Sequence, residues 1–471
     1  MRQFASIVFT IAIIIYAVMH YTTYLNPTET GAIILGIAGT TVLIFSLVLL
    51  PFRALAVPIF LFIIASGIQF FTNGSFTGLL LDGVGEMSNL ITLLLIVPII
   101  SWILREEHYI DAIMQVAQRS LNSSKKFYFG MMLVNQVISY FLLFGAIPMM
   151  YQFINDFLRD KTSEAWEYFK GTALLRSFAL TTLWVISIPS FAFAVDHLEA
   201  SLGWTIIQGF IISLAGIFLS VFFLSFKEKS YQVDYTVGIQ EEMAGRLEHA
   251  LDAKYAKRLV MEFAFLFLSL FSTIFIIHIV LGWGLLAIIP PIIVVWTLGY
   301  FIVKKRTHHF FTEMKTYIRK DVGQKSQQFS LLLAAGMLIY AVNNSGVGNY
   351  LIDGLFYVED TIPFVNFLTI VPFMAIILGF LGLGPLTVIV LVAGILENVD
   401  LIYPPELVVL AMTSGSVISV ILSPVVLPVI ILSATNKLSI IKNGIMFNWS
   451  YALVFYFLVQ GYIQVMWYFL Q

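Results

Sequence analysis

The sequence predicts an all-α membrane protein with about eleven transmembrane helices and two re-entrant hairpins, arranged as two inverted repeats. Composition, the length of the apolar runs and the placement of lysine and arginine support this fold class. Hydrophobic residues make up 59% of the 471 residues and charged residues only 11%, whereas a soluble domain carries roughly 25% charged residues. A helix needs about 20 apolar residues to cross a bilayer. Such runs lie at residues 4–21, 31–50, 54–71, 88–104, 172–198, 204–226, 259–281, 284–304, 328–344, 406–432 and 448–470.

Net charge and cysteine count exclude several classes of function. A formal charge of −2 provides no basic surface for nucleic acid. The absence of cysteine excludes disulfides, thiolate metal sites and a cysteine nucleophile. The run at 4–21 follows a single Arg2 and has no small-residue cleavage site after it, so we interpret it as a first transmembrane helix and not as a signal peptide.

Lysine and arginine alternate between connectors, which predicts the topology because basic residues stay on the cytoplasmic side. Connectors at 22–30, 72–86, 196–203, 345–363 and 397–405 contain no lysine or arginine. Basic residues predicted to face the cytoplasm are Arg53, Arg105, Arg119, Lys125, Lys126, Arg159, Lys161, Lys170, Arg176, those of 227–258 and 304–325, Lys437 and Lys442. The pattern predicts a cytoplasmic N-terminus and an external C-terminus.

Two apolar stretches, at 127–155 and 363–395, are too long for one span and contain glycine and proline near the middle. The later basic connectors stay on the cytoplasmic side only if each stretch enters and leaves the membrane on the same side. We therefore predict a cytoplasmic hairpin and an outer hairpin, with Gly145 and Pro148 at one tip and Gly384 and Pro385 at the other. The alternative is two pairs of thin transmembrane helices.

The same order of parts occurs twice, which predicts an inverted repeat. Residues 1–53 form N-terminal helices, 54–226 the first repeat, 227–258 a cytoplasmic linker and 259–471 the second repeat. Residues 181–190 can be laid over 416–425, with Pro189 matching Pro424. Each proline removes a helical hydrogen bond that nearby hydroxyls can replace. Broken helices in inverted repeats indicate a transporter with a site near the midplane, although proline kinks can also be purely structural.

Connectors between these parts contain a further signal. Apolar residues recur at helical spacing over 108–121, which predicts a helix lying in the membrane interface. Residues 350–360 are predicted to be its equivalent in the second repeat.

This layout resembles the ion transporter superfamily, especially the divalent anion/sodium symporters. The matching features are eleven spans, an inner and an outer hairpin, and breaks in the fifth and tenth spans. The resemblance implies a homodimer in which the hairpins and broken helices move as an elevator. The Ser-Asn-Thr motifs of that family are missing from the tips, which read Gly-Ala-Ile-Pro at 145–148 and Gly-Pro-Leu-Thr at 384–387. Sodium coupling and a dicarboxylate substrate therefore do not carry over.

Polar groups at the tips and breaks are the candidate binding residues, because half-helix N-termini can hold a carboxylate and hydroxyls can hold a desolvated cation. Arg176 is a candidate anion ligand or an anchoring charge, and His278 is a candidate proton relay or a packed residue. The substrate and ion candidates are Asn135, Gly145, Pro148, Thr181, Thr182, Ser187, Pro189, Gly384, Pro385, Ser414, Ser416, Ser419, Ser423 and Pro424.

The sequence predicts a permease for a small organic anion such as a carboxylate, coupled to sodium or protons, in a bacterial inner membrane. One alternative is a cation/proton antiporter of the same superfamily. Another is a membrane enzyme or assembly subunit for a lipid-linked substrate, with Asp196, His197 and Glu199 as its candidate cluster. Enzyme motifs such as His-Glu-x-x-His are absent from the sequence, so we expect no enzyme, no metal site and no cofactor.

Overall fold

A computed structural model describes residues 2–117, 123–158, 161–244, 252–362, 365–397, 399 and 401–470. These residues form helices, and no strand occurs among them. Ten helical runs are long and apolar enough to cross a membrane, and an eleventh is reached if the bent pair Thr307–Ser345 and Val347–Thr361 is one span. The chain is therefore an all-α multi-pass membrane protein.

The N-terminal helices form a layer against the second half of the chain. Helix α2 begins at an N-cap, where the Thr28 side chain accepts a hydrogen bond from the Gly31 amide. Helix α3 packs along the later helix Ser326–Ser345, so residues 54–71 contact both predicted halves. The helices are α1 (Arg2–Leu25), α2 (Glu29–Leu49), α3 (Phe52–Phe71) and α4 (Phe76–Gly85).

The next helices run from the fourth predicted span to the linker. Helix α5 continues as the 3-10 helix Val97–Arg105. A helix, α6, occurs within the predicted range 108–121, and residues 118–121 of that range lie outside the described residues. The helices are α5 (Ser88–Ile96), α6 (Tyr109–Ala117), α7 (Ser124–Leu142), α8 (Ala146–Phe157), α9 (Glu164–Thr181), α10 (Pro189–His197), α11 (Leu202–Tyr231) and α12 (Tyr235–Ala244).

The remaining helices follow the linker and end at residue 470. A π-turn and a 3-10 turn at 317–325 join α15 to α16, and α16 and α17 meet at 89°. The helices are α13 (Ala253–Leu281), α14 (Leu285–Val303), α15 (Thr307–Thr316), α16 (Ser326–Ser345), α17 (Val347–Thr361), α18 (Phe367–Phe380), α19 (Pro385–Leu396), α20 (Pro405–Leu422), α21 (Leu427–Asn436) and α22 (Phe447–Leu470).

Helices α7 and α8 are antiparallel, although the run Ser124–Phe157 is long enough to span the membrane as one helix. The rings of Phe127 and Phe157 stack with centroids 5.4 Å apart. Thirty residues of straight helix would separate them by about 45 Å. The chain reverses at Leu143, whose φ is +49°. Both ends of this stretch therefore lie on the same side.

The first hairpin turns two residues earlier than the sequence suggested. Gly145 has an ordinary φ of −65° and precedes α8, while Pro148 lies in the first turn of α8, where a missing N–H leaves no helical bond unmade. The second hairpin turns between α18 and α19 at Gly382, whose φ is +93°. Gly384 and Pro385 instead begin α19.

Both predicted breaks occur, and they lie in the most buried helices of the chain. The first break covers 182–188, so Pro189 is the first residue of α10 and not a kink inside a helix. The second break covers 423–426 and contains Pro424. In α9, residues 165–181 are all buried, as are residues 407–421 of α20. These two helices form the centre of the protein.

Basic residues of the predicted cytoplasmic connectors form ion pairs with acidic residues elsewhere in the chain. Ion pairs join Lys304 to Glu262 at 2.7 Å and Lys442 to Glu164 at 2.6 Å. The Ser201 amide donates to the Glu406 carboxylate at 3.0 Å, which joins the start of α11 to the start of α20.

The first hairpin can be tested with cysteine pairs, because the chain contains no native cysteine. We expect the pair F127C and F157C to cross-link in membranes treated with a mild oxidant, since the native rings stack at 5.4 Å. The pair F127C and L142C lies at opposite ends of α7, about 22 Å apart, and should not cross-link. Cross-linking is read as a mobility shift on a denaturing gel. A single straight helix would leave both pairs unlinked.

Candidate functional site

A cavity of about 220 Å³ lies where the first hairpin turn, the first break and the start of α19 meet. The second half of α5 and the start of α16 complete its wall. Most of the lining side chains are apolar, and no carboxylate is among the described residues that line it. The lining residues are Leu94, Pro98, Leu142, Leu143, Phe144, Gly145, Phe178, Thr182, Ile188, Pro189, Ser190, Lys325, Gln328, Pro385 and Leu386.

Two helices begin at the cavity wall, and each begins with proline. Pro189 is the first residue of α10 and Pro385 the first residue of α19. Proline suits this position because its fixed φ matches the helix and the first N–H would have no helical acceptor. The N–H groups that follow give each helix N-terminus a partial positive charge. Both N-termini are therefore suited to bind an anion.

One cationic side chain lines the described part of the cavity, and the sequence interpretation did not select it. Lys325 was assigned to a basic cytoplasmic connector, yet the turns at 317–325 place it in the cavity wall beside Gln328. Its ammonium group donates to the Leu94 carbonyl at 3.0 Å. Its position as the last basic residue before an apolar helix was the available signal.

Among the predicted site residues, Gly145, Thr182, Pro189 and Pro385 line this cavity directly. The Thr182 hydroxyl donates to the Ala179 carbonyl at 2.7 Å, so its lone pairs remain free to accept. Gly384 is adjacent, as the cap residue of α19. The cavity thus brings together residues of the first hairpin turn, the first break and the start of α19, whereas the predicted Pro148 and Pro424, and with Pro424 the second break, are not in its wall.

Serines in the two breaks hold the hairpins. Ser187 donates to the Tyr140 carbonyl at 2.8 Å, and Ser423 donates to the Gly379 carbonyl at 3.0 Å. Each carbonyl lies three residues before the residue of positive φ in its hairpin, Leu143 or Gly382. We expected these hydroxyls to replace bonds inside their own helices. They bind the hairpins instead, and the Gly379 carbonyl also accepts from the Gly382 amide at 3.3 Å.

Other predicted hydroxyls bond within their own helix or have no partner. Thr181 donates to the Phe178 carbonyl at 2.5 Å and Ser414 to the Ala411 carbonyl at 2.7 Å. The hydroxyl oxygens of Ser416 and Ser419 are buried without a hydrogen-bond partner among the described residues. None of these four residues lines the cavity.

Asn135 connects the first hairpin to the central helix α9. Its amide nitrogen donates to the Leu174 carbonyl at 3.1 Å and to the Ser177 hydroxyl at 2.7 Å. The amide oxygen is buried and lacks a partner among the described residues. This side chain lies outside the cavity wall and positions α7.

Arg176 is fully buried and bonds within the protein rather than facing the cavity. Its guanidinium donates to the Asn448 amide oxygen at 2.8 Å, the Ser220 hydroxyl at 2.9 Å and the Phe447 carbonyl at 2.9 Å. It also lies 4.3 Å from the centre of the Tyr451 ring. These bonds join α9 to α11 and α22, which indicates a structural role.

His278 and the acidic cluster near it also have structural contacts. A ring nitrogen of His278 lies 2.8 Å from the Trp283 carbonyl, at the end of α13. The Asp196 carboxylate accepts from the amides of Leu285 and Leu286 at 2.9 and 2.8 Å, which caps α14. The His197 ring stacks on Phe193. Across the described chain no group of three or more histidine, aspartate or glutamate residues could hold a metal ion.

Comparison with protein-family models gave no match, and comparison with curated protein sequences gave none either. The function is therefore inferred from the geometry and chemistry of the site.

The contact between the second hairpin and α20 can be tested at Gly379. A β-carbon there would lie 1.8 Å from the Ser419 hydroxyl oxygen, so G379A should lower the free energy of unfolding by about 1–3 kcal/mol through overpacking. The double variant G379A/S419G removes the clash and should recover most of the loss. G461A is the control, because a β-carbon at Gly461 meets nothing within 4 Å. Equal melting temperatures for G379A and G461A would contradict this packing.

The structural role of Arg176 gives a second prediction. R176M should cost about 3 kcal/mol or more of unfolding free energy, because it leaves several buried acceptors without a donor. R105M is the matched control, since Arg105 forms an exposed pair with Glu313 and such pairs contribute about 0–1 kcal/mol. Thermal unfolding in detergent, followed by tryptophan fluorescence, measures both. Similar melting temperatures for the two variants would argue against the network.

Proposed function

We propose that the chain is a secondary active transporter of a small organic anion, such as a carboxylate, and that the cavity is its binding site. The observation that carries this proposal is the convergence of two helix N-termini and the Lys325 ammonium group on one cavity. The Lys325 ammonium group and the partial positive charges of the two helix N-termini face this cavity, and no carboxylate lies in its described wall. An anion is therefore the ligand that the site would favour.

Helices of equal or nearly equal length at corresponding positions in the two halves support an inverted repeat. Helices α8 and α19 each have 12 residues, and α9 and α20 each have 18. Helices α10 and α21 have 9 and 10 residues. The serine contacts from break to hairpin occur at corresponding places in both halves. Such duplication around broken helices is typical of transporters with a midplane site.

The elevator mechanism is part of the proposal. Helices α7–α10 and α18–α21 would move together, because the hydroxyls of Ser187 and Ser423 join each hairpin to a broken helix. The remaining helices would form the scaffold and the contact of a homodimer. Sodium or protons would supply the driving force, with the partnerless hydroxyls of Ser416 and Ser419 as candidates to accept a cation.

The membrane is proposed to be the inner membrane of a bacterium, with the N-terminus in the cytoplasm. The alternation along the chain between connectors with basic residues and connectors without lysine or arginine supports this orientation.

Uptake into proteoliposomes tests the function. A panel of radiolabelled mono- and dicarboxylates is offered under an imposed sodium gradient, an imposed proton gradient and neither. We expect gradient-driven accumulation of at least one carboxylate. Failure of every carboxylate to accumulate under both gradients, with protein that is folded and correctly inserted, would refute the proposal.

Filling the cavity provides a structural test of its location. A β-carbon at Gly145 would meet only the Leu142 side chain, at 3.7 Å, so G145W should fold while its indole occupies the cavity. We expect uptake to fall about tenfold or more, as the ring excludes the ligand. G461W is the control, since its site has open space around it. Unchanged uptake by G145W would place the binding site elsewhere.

A further inference from the structure

The position of Lys325 follows from a defect in a neighbouring helix. Pro98 has no N–H, so the Leu94 carbonyl four residues earlier lacks its usual helical donor. The Lys325 ammonium group supplies one at 3.0 Å. The next carbonyl, that of Leu95, accepts from the Tyr317 hydroxyl at 2.6 Å. The π-turn and 3-10 turn before α16 thus bring both donors to the point where α5 becomes a 3-10 helix.

The Lys325 ammonium group has no ion-pair partner within the described protein, although it lies 5.8 Å from the centre of the Tyr317 ring and Asp321 acts on it electrostatically. No carboxylate of the described residues lies within 4.0 Å of its nitrogen, whereas the buried Lys170 pairs with Glu167 at 2.5 Å. An ammonium group has three N–H donors, and the Leu94 carbonyl accounts for one of them. Unpaired charge at a part-buried position is costly. A ligand carboxylate in the cavity would supply the missing partner.

The rest of the wall limits what else the ligand can contain. Apart from Lys325, the polar side chains are Thr182, Ser190 and Gln328, all uncharged. Leu94, Phe144, Phe178 and Leu386 are among the apolar side chains that face the remaining space. A second carboxylate would be desolvated against this surface without a second cation. The cavity of about 220 Å³ is also smaller than the 300–1,000 Å³ typical of sites for drug-sized ligands.

On the basis of the proposed function, we infer that Lys325 recognises the negative charge of the substrate, and that the substrate is a short monocarboxylate with an apolar body. The carboxylate binds the ammonium group and the adjacent helix N-termini, while the apolar body contacts the leucine and phenylalanine side chains. Lys325 is then the residue that determines specificity for one negative charge.

Ligand pairs of matched shape test the inference on the wild-type protein. Valerate and valeramide differ in charge, and valerate and glutarate differ by a second carboxylate at the same chain length. Binding is measured by calorimetry in detergent and by competition for uptake in proteoliposomes. We expect valerate to bind at least about tenfold more tightly than either of the others. Tighter binding of glutarate would overturn the inference while leaving the proposed transporter intact.

Variants of Lys325 distinguish recognition of the substrate charge from a hydrogen bond that only satisfies the Leu94 carbonyl. K325Q keeps an N–H donor without the charge, and K325R keeps both. We expect K325Q to lose about tenfold or more in valerate affinity while valeramide affinity stays within about threefold of wild type, and K325R to keep the preference for valerate. K320Q is the matched control, because Lys320 is an exposed residue of the same segment.

The outcomes distinguish failure of the inference about Lys325 from failure of the proposed transport function. If K325Q binds valerate as wild type does, or weakens valerate and valeramide equally, Lys325 is only a cap and the inference is wrong. If K325Q does not fold, the wild-type ligand series and K325R still decide the question. If no carboxylate of either charge binds or accumulates, the proposed function itself fails.

Discussion

Inside a bilayer, every backbone N–H and C=O that leaves a helix must find another partner within the protein. The backbone of this chain departs from α-helical geometry at both hairpin turns and both breaks. The hydrogen bonds that its polar groups form there organise the centre of the fold. Ser187 and Ser423 bind carbonyls of the two hairpins, and Lys325 binds a carbonyl that Pro98 has released. The same departures from helix expose the N-termini of α10 and α19. The irregular backbone and the candidate site are therefore one feature.

The buried cationic side chains differ in how many of their N–H groups have a partner within the protein. Arg176 donates to the Ser220 hydroxyl on α11, to two acceptors on α22 and to the Tyr168 hydroxyl. Lys170 pairs with Glu167, whose second oxygen accepts from Tyr151 at 2.7 Å. Lys325 donates to one carbonyl and lies 5.8 Å from the centre of the Tyr317 ring, and it forms no ion pair among the described residues. Groups with complete sets of partners hold helices together, and the group with an incomplete set faces a cavity.

Much of the fold could be predicted because it depends on local chemistry and on the bilayer. The length of apolar runs located the spans, and the basic connectors indicated that residues 127–155 must turn back. The turn was placed at Gly145, whereas Leu143 adopts the positive φ. Glycine is the residue that most easily adopts this conformation, but packing of the Phe144 and Phe178 rings at 5.5 Å accompanies the turn at leucine.

The candidate site was only partly predictable. Tips and breaks were located from glycine, proline and hydroxyl residues, and four of the predicted residues line the cavity. Arg176 was a reasonable anion ligand from composition alone, since charge at membrane depth is costly. Whether such a charge is satisfied depends on residues far away in sequence, such as Asn448 and Ser220. That information is not contained in local patterns.

The sequence by itself determined the class of protein, its spans, the two hairpins and the two breaks, because hydropathy and helix-breaking residues act through the immediate chain and the surrounding lipid. Only the tertiary structure decided which polar groups meet. It placed Lys325 beside the first hairpin and the start of α19, and it placed Arg176 and Asp196 in structural contacts. The physical reason is that a buried polar group takes its role from partners brought to it by packing, and those partners come from every part of the chain.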